Sequence, residues 1–272
     1  MAHVFQVGAG SGGMPVLDMI GRDSRITRVT LVEPDVYKPH NVARHLFPRS
    51  AVGELKAVLA EDWLRERRPD LQVETLACDL LDPAQQEAIE RAVATADIGV
   101  CAADNEAAKF HFDLLMRRHR KPWTLGEVLS GGIGGFVHWF VPGGPCYGCV
   151  ASHLKREATV EKPKAPDYSQ PGGPVEEATV PASKASIGAI AGLHAVVTLG
   201  LLADGEKYQP GFTSLLLTLQ RVEQVFDEAF RPYRFRIPRL ADCLICRAEA
   251  TPSSAGDLDV ALAQALARLS HE

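Results

Sequence analysis

The amino-acid sequence predicts an α/β fold: a mostly parallel sheet flanked by helices, extended towards the C-terminus by a mixed sheet and a four-cysteine knuckle. Three observations predict it. Strand and helix signals alternate over roughly the first 130 residues. A glycine-rich loop joins the first strand to the first helix. Beyond that the texture changes to half-exposed, alternating strands that carry two Cys-x-x-Cys pairs.

In chain order, Val4–Val7 reads as the first strand, and the apolar-periodic segment Met14–Ile20 as the helix that follows it. Val29–Val32 is a second β-branched run ending in Glu33. Lys56–Arg67 is an amphipathic helix, Leu71–Leu76 a third strand and Pro83–Ala96 a helix. Ile98–Ala102 is a fourth strand. Phe110–Arg120 is a helix whose basic last turn complements its dipole, and Trp123–Leu125 is a fifth strand. Phe136–Val141 then alternates and runs into the turn Pro142-Gly143-Gly144-Pro145. Residues 155–186 hold five prolines and ten charged residues and predict a flexible crossover loop. A helix from Ile187, strands near Leu215–Leu219 and Tyr233–Ile237, and a terminal amphipathic helix over Asp257–Leu269 complete the chain.

Composition narrows the function classes. The chain has 272 residues, 46% hydrophobic and 23% charged, with a formal net charge of −5. That is ordinary for a globular protein and gives no electrostatic reason to expect a nucleic acid or a membrane surface as partner. The strand begins almost at once, so no signal peptide is read. The longest apolar stretch, Ile187–Leu202, includes His194 and reads as a buried helix rather than a membrane span. Two Cys-x-x-Cys pairs without a secretory signal suggest metal rather than disulfides, in a reducing cytoplasm.

Gly8-Ala9-Gly10-Ser11-Gly12-Gly13 fits G-x-G-x-x-G between a strand and a helix, as in Rossmann-type folds. Gly8, Gly10 and Gly13 let backbone N–H groups approach a phosphate at the positive end of that helix. Glu33 closes the second strand, where an acid can bind ribose hydroxyls. Alone, these features specify a nucleotide and suit a dinucleotide dehydrogenase best; a tight turn without any ligand also fits.

The residues downstream point elsewhere. Asn41, Arg44, Lys56 and Asp104 bring an amide, two cations and an acid towards one nucleotide. Two cations can neutralise charge that develops during attack on an α-phosphorus, and an acid at a strand end can hold magnesium. Hydride transfer needs no such set. Singly, Arg44 or Lys56 could be a solvated surface cation, and Asp104 could simply cap the next helix.

In this order the motifs resemble those of the ThiF/MoeB/HesA family, bacterial relatives of ubiquitin-activating enzymes. They are the glycine loop, Glu33-Pro34-Asp35, Asn41-Val42-Ala43-Arg44, Gly53-Glu54-Leu55-Lys56, Asp104-Asn105, Cys146-Tyr147-Gly148-Cys149 and Cys243-Leu244-Ile245-Cys246. The resemblance runs along nearly the whole chain. It implies one adenylation domain over 1–272, with a nucleotide-binding half (1–130) and a zinc-braced half (131–272). It also implies that Glu33 binds ribose, that Asp35 lies near the magnesium–phosphate end, and that Asn41, Arg44 and Lys56 contact phosphates. Asp104 would coordinate Mg²⁺, and Arg44, Lys56 and Asp104 would be the catalytic set. The implied reaction is ATP-dependent adenylation of the C-terminal carboxylate of a small ubiquitin-like or sulfur-carrier protein. That partner would be a β-grasp protein ending in Gly-Gly, and the enzyme would be a homodimer or heterodimer. A small-molecule or tRNA-base carboxylate, or an inactive scaffold half of a heterodimer, are the alternatives.

The four cysteines admit a firmer reading. Ninety-three residues separate Cys149 from Cys243. Each pair can offer two thiolates from a tight turn, and Cys146, Cys149, Cys243 and Cys246 together would close a tetrahedral shell around structural zinc. Four ordinary buried cysteines are the bland alternative. Cys78 and Cys101 read as small core residues.

Three departures from the family matter. The 155–186 segment, where thioester-forming relatives keep a nucleophilic cysteine, has none, so the reaction is expected to stop at the acyl-adenylate or pass directly to an external nucleophile. The chain opens at the first strand, so the arginine that relatives carry ahead of it is missing or supplied otherwise. Position 109 is Lys where relatives often have Arg, which keeps the charge but loses the planar fork. His40 and His45 resemble versions found with bacterial ubiquitin-like conjugation and sulfur transfer, and read equally well as polar loop residues.

Overall fold

Eight strands form one continuous sheet in the order β3-β2-β1-β4-β5-β6-β7-β8. The structure is a computed structural model that describes residues 1–154, 181–208 and 210–247. β1 (Ala2–Val7), β2 (Ile26–Val32), β3 (Gln72–Leu76), β4 (Ile98–Cys101) and β5 (Trp123–Val128) run parallel to one another. β1 and β4 are buried at every position, as central strands covered on both faces must be. Their near-continuous apolar sequence has the same cause. β6 (Gly134–Phe140), β7 (Ser214–Thr218) and β8 (Pro232–Phe235) then extend the sheet antiparallel; β6 falls where the alternating pattern predicts a strand, but it is buried everywhere except Phe136 rather than half-exposed.

Helices cover both faces. α1 (Gly13–Gly21), α2 (Lys56–Arg67) and α6 (Lys184–Asp204) share one core with Val4, Val29, Leu31 and Val100. α3 (Gln86–Thr95), α4 (Glu106–Arg118) and α5 (Tyr147–His153) share the other with Phe5, Trp123, Phe140 and the paired cysteines. α6 packs on α1, β5 and β6. By length and composition it could cross a membrane. In this fold Ile187, Ile190, His194, Thr198 and Leu201 are buried, while Val196 on the opposite face is exposed.

Boundaries differ from the sequence expectation where a cap decides them. α4 begins a turn before Phe110, because the Asn105 side-chain oxygen accepts from the Ala108 N–H at 2.7 Å. Pro83–Gln85 is a tight 3₁₀ turn capped by Asp82, and α3 proper starts at Gln86. The crossover loop ends earlier than residue 186: Ser183 Oγ accepts from the Ser186 N–H at 3.0 Å and starts α6 at Lys184. α5, within and after the first cysteine pair, has no counterpart in the expected elements. Most of the expected loop and the expected helix Asp257–Leu269 lie outside the described residues.

Candidate active site

A cleft of about 570 Å³ opens at the carboxyl ends of the parallel strands. It lies beside β1, whose neighbours β2 and β4 leave in opposite directions. This is the switch point at which open α/β sheets bind ligands.

The glycine loop forms one wall. Gly8 has a φ of +92°, and a Cβ there would meet the Ala102 carbonyl oxygen at 2.7 Å. A Cβ on Gly13 would lie 2.3 Å from the Gly8 carbonyl oxygen. Both glycines are therefore required by the fold itself. Gly10 differs: nothing lies within 4 Å of its would-be Cβ, so the space beside it is open to the cleft. Among the described residues, the N–H groups of Gly10, Ser11, Gly12 and Gly13 have no hydrogen-bond acceptor. That is the donor array a helix N-terminus offers to an anion.

Glu33 closes β2 and is 4% exposed. Its carboxylate accepts from the Ala9 N–H at 2.5 Å and the Asp35 N–H at 2.9 Å. Burial raises its pKa against the pull of Lys56 and these two N–H groups. Lys56, the first residue of α2, reaches across with Nζ 2.6 Å from Asp35 and 4.0 Å from Glu33. Arg44 lines the same cleft, and its buried Nε has no partner among the described residues. A guanidinium N–H held dry and unpaired needs an acceptor from elsewhere. Asp104 lies exposed in the cleft beside Asn105. Since Asn105 takes the helix cap, the carboxylate of Asp104 is left uncommitted among the described residues.

Asn41 sits apart from the other expected contacts. It is not among the residues lining the cleft. Its side-chain oxygen accepts from the Lys38 N–H at 2.9 Å, and its carbonyl accepts from the Arg44 and His45 N–H groups. It shapes the turn that carries Arg44.

Several cleft residues escaped the sequence reading because they come from distant strand ends. Asp79 and Leu80 follow β3. Glu127 on β5 and Glu106 on α4 each accept from Lys109 Nζ at 2.7 Å. Burial disfavours the Lys109 charge, but the two carboxylates outweigh it and hold the ammonium above the ordinary lysine range. Glu106 also accepts from the Tyr147 hydroxyl at 2.7 Å, which joins this group to the cysteine knuckle. His194 of α6 is buried against Gly126 and shares a 2.9 Å hydrogen bond with Thr124, and burial lowers its pKa to about 4.

The four expected metal ligands do meet. Sγ atoms of Cys146 and Cys149 are 3.7 Å apart, those of Cys146 and Cys243 3.5 Å, and those of Cys149 and Cys246 3.6 Å. All four lie within 4.8 Å of one another and are buried. A tetrahedral ion with Zn–S of about 2.3 Å places its sulfurs ~3.8 Å apart, so the cluster fits zinc with little adjustment. The Leu240 N–H donates to Cys149 Sγ at 3.4 Å, as knuckle backbones do towards thiolate. The remaining cysteines are unlike these. Cys101 is buried on β4 with its thiol pushed up to about 12 by burial, and burial raises that of Cys78 too.

Strand order, glycine loop and cleft define an α/β protein of the Rossmann-type class. The ThiF family profile matches residues 1–232, and the chain belongs to that family. Among solved structures, E. coli MccB with ATP superposes with a TM-score of 0.63 at 19% identity, over 90% of this chain and 66% of MccB. E. coli MccB with AMPCPP and selenomethionine MccA gives 0.63 at 19%, over 89% and 65%. The microcin C7 biosynthetic enzyme MccB in complex with N-formylated MccA gives 0.63 at 19%, over 90% and 67%. The chain thus spans just under two thirds of the first of these proteins. No curated protein sequence matches it.

Proposed function

We propose that both halves of the chain work as one ATP-dependent adenylation domain acting on the C-terminal carboxylate of a small protein or peptide. The observation that carries this reading is the meeting of Arg44, Lys56 and an uncommitted Asp104 in one cleft with unpaired loop N–H groups. The glycine loop and α1 would receive the phosphates, and Glu33 the ribose. Asp104 is an exposed oxygen donor of the kind magnesium prefers, with Asp35 and Asp79 in the same cleft. Magnesium there would screen the triphosphate. Arg44 and Lys56 would hold the charge that builds as a carboxylate oxygen bonds to the α-phosphorus and the bond to the bridging oxygen breaks. Pyrophosphate then leaves with the electron pair.

Family membership and the MccB–ATP and MccB–MccA structures support this reading. We place the substrate among ubiquitin-like or sulfur-carrier proteins ending in Gly-Gly. The cleft beyond the phosphates supports a narrow tail, being walled by Gly126, Val128, Ile187, Ile190 and Ala191. The chain would stop at the acyl-adenylate: the loop at 155–186 has no cysteine, Cys101 is buried, Cys78 is half-buried with its thiol pKa raised by burial, and the remaining four lie in the cluster. ATP–pyrophosphate exchange with candidate carrier proteins tests the proposal. Carrier-dependent exchange is expected; exchange driven only by small carboxylates, or ATP binding with no exchange, would sink it.

A further inference from the structure

The glycine loop is held by two side chains for which neither the family pattern nor the proposed chemistry has a use. Gln6 lies on β1 and is fully buried among apolar neighbours, an unusual place for an amide. Its Nε2 donates to the Gly8 carbonyl at 2.9 Å and to the Gly13 carbonyl at 2.9 Å, so one amide staples the two ends of the loop. His45, 2% exposed, shares a 2.9 Å hydrogen bond between Nε2 and the Ala9 carbonyl. Its other ring nitrogen faces the Phe47 N–H at 3.4 Å, which fixes the ring as an Nε2–H donor. The Gly10 carbonyl accepts from the Met14 N–H at 2.9 Å. The carbonyls of Gly8, Ala9, Gly10 and Gly13 are thus all occupied from the protein side.

A peptide unit that faces a phosphate with its carbonyl repels it, and one that faces it with its N–H attracts it. Tying the carbonyls inward fixes the orientation before any ligand arrives, which removes an ordering cost from binding. We propose that Gln6 and His45 are positioning residues that hold the loop with its carbonyls turned into the protein and its N–H groups towards phosphate. The functional half of this proposal rests on the nucleotide reading above.

The test compares ATP with adenosine, which has no phosphates, by calorimetry on the full chain. Gln6→Met keeps the volume and removes both donors. His45→Phe keeps the ring beside Tyr37 and Phe47 but removes the donor, and His45→Gln restores a donor at similar reach. In Gln6→Met and His45→Phe the ATP dissociation constant is expected to rise about tenfold, the loss of roughly one good hydrogen bond's ordering, while adenosine binding stays within about twofold. His45→Gln should recover most of the affinity. Amide exchange at Gly8, Ala9 and Met14 in the ligand-free protein should quicken in the first two variants and stay unchanged at Val100. Unaltered exchange, or equal weakening of ATP and adenosine, overturns the proposal. Failure of the unaltered protein to bind ATP overturns the nucleotide reading instead, and exchange, which needs no ligand, still decides whether the anchors hold the loop.

Discussion

The cleft and the cysteine cluster are both assembled from turns at strand ends, and they treat their polar groups in opposite ways. In the cleft, loop N–H groups, the Nε of Arg44 and the carboxylate of Asp104 are left without partners among the described residues. In the cluster, four thiols face one another inside the core, and the neighbouring Tyr147 spends its N–H on Asp113 and its hydroxyl on Glu106. Unpaired groups cost stability and are retained where a ligand completes them; four thiols gathered this closely fit a metal ion that would complete them inside the core and contribute to folding. Changes in the first region should therefore alter chemistry without touching the fold, and changes in the second the reverse.

The largest effect expected is on the cleft side. Asp104→Ala should lower ATP–pyrophosphate exchange on the order of a thousandfold, by analogy with removing one transition-state-stabilising group. Its melting temperature should stay within about 1 °C, since Asp104 is exposed and does not cap α4. A matching loss of stability would blur the distinction. Chelation or Cys149→Ser should do the converse, lowering the melting temperature by roughly 10 °C. ATP affinity should move less than about threefold, and an unmoved melting curve would refute the structural-metal assignment.

Acid should expose a third, intermediate effect. The folded-state pKa of His194 is depressed to about 4, so its neutral form is favoured in the fold and the unfolded chain takes the proton first. Its stabilisation is present above about pH 6.5 and lost as pH falls through 6.5 towards 4. A decrease of about 2 kcal/mol between pH 7.5 and 5 is expected in urea titrations, smaller in His194→Gln. The buried His45 is depressed to about 4 as well and adds to the same slope. The smallest effect separates two glycines within one loop. Gly13→Ala should cost about 2 kcal/mol, because its Cβ would strike the Gly8 carbonyl. Gly10→Ala should leave stability within about 0.5 kcal/mol and weaken ATP instead. Equal behaviour of the two would mean that the open space beside Gly10 has no ligand to receive.

Much of this was legible in the sequence, and the exceptions share a cause. The parallel strands, the antiparallel extension and the cysteine meeting follow from runs of β-branched residues and from metal-ligand spacing, which are local signals. The cleft's Arg44, Lys56 and Asp104 were legible because each stands in a short motif. Glu127, Asp79 and His194 were not, since only the sheet order brings β5, β3 and α6 to one cleft. Asn41 is expected at the phosphates; its side chain also braces the turn that carries Arg44, a contact invisible to spacing. Gln6 is the polar residue within the predicted strand Val4–Val7, and no periodicity argument could tell that its amide spans the loop.

The adjacent pair Asp104-Asn105 bears on how such a site can change over time. One side chain discharges the local obligation to the helix end, and its neighbour is thereby released from any duty to folding. Exchanging the two residues would leave composition, charge and helix intact while retiring the carboxylate into the cap. On the adenylation proposed above, a lineage could thus lose its chemistry in that one exchange and keep a chain that still folds.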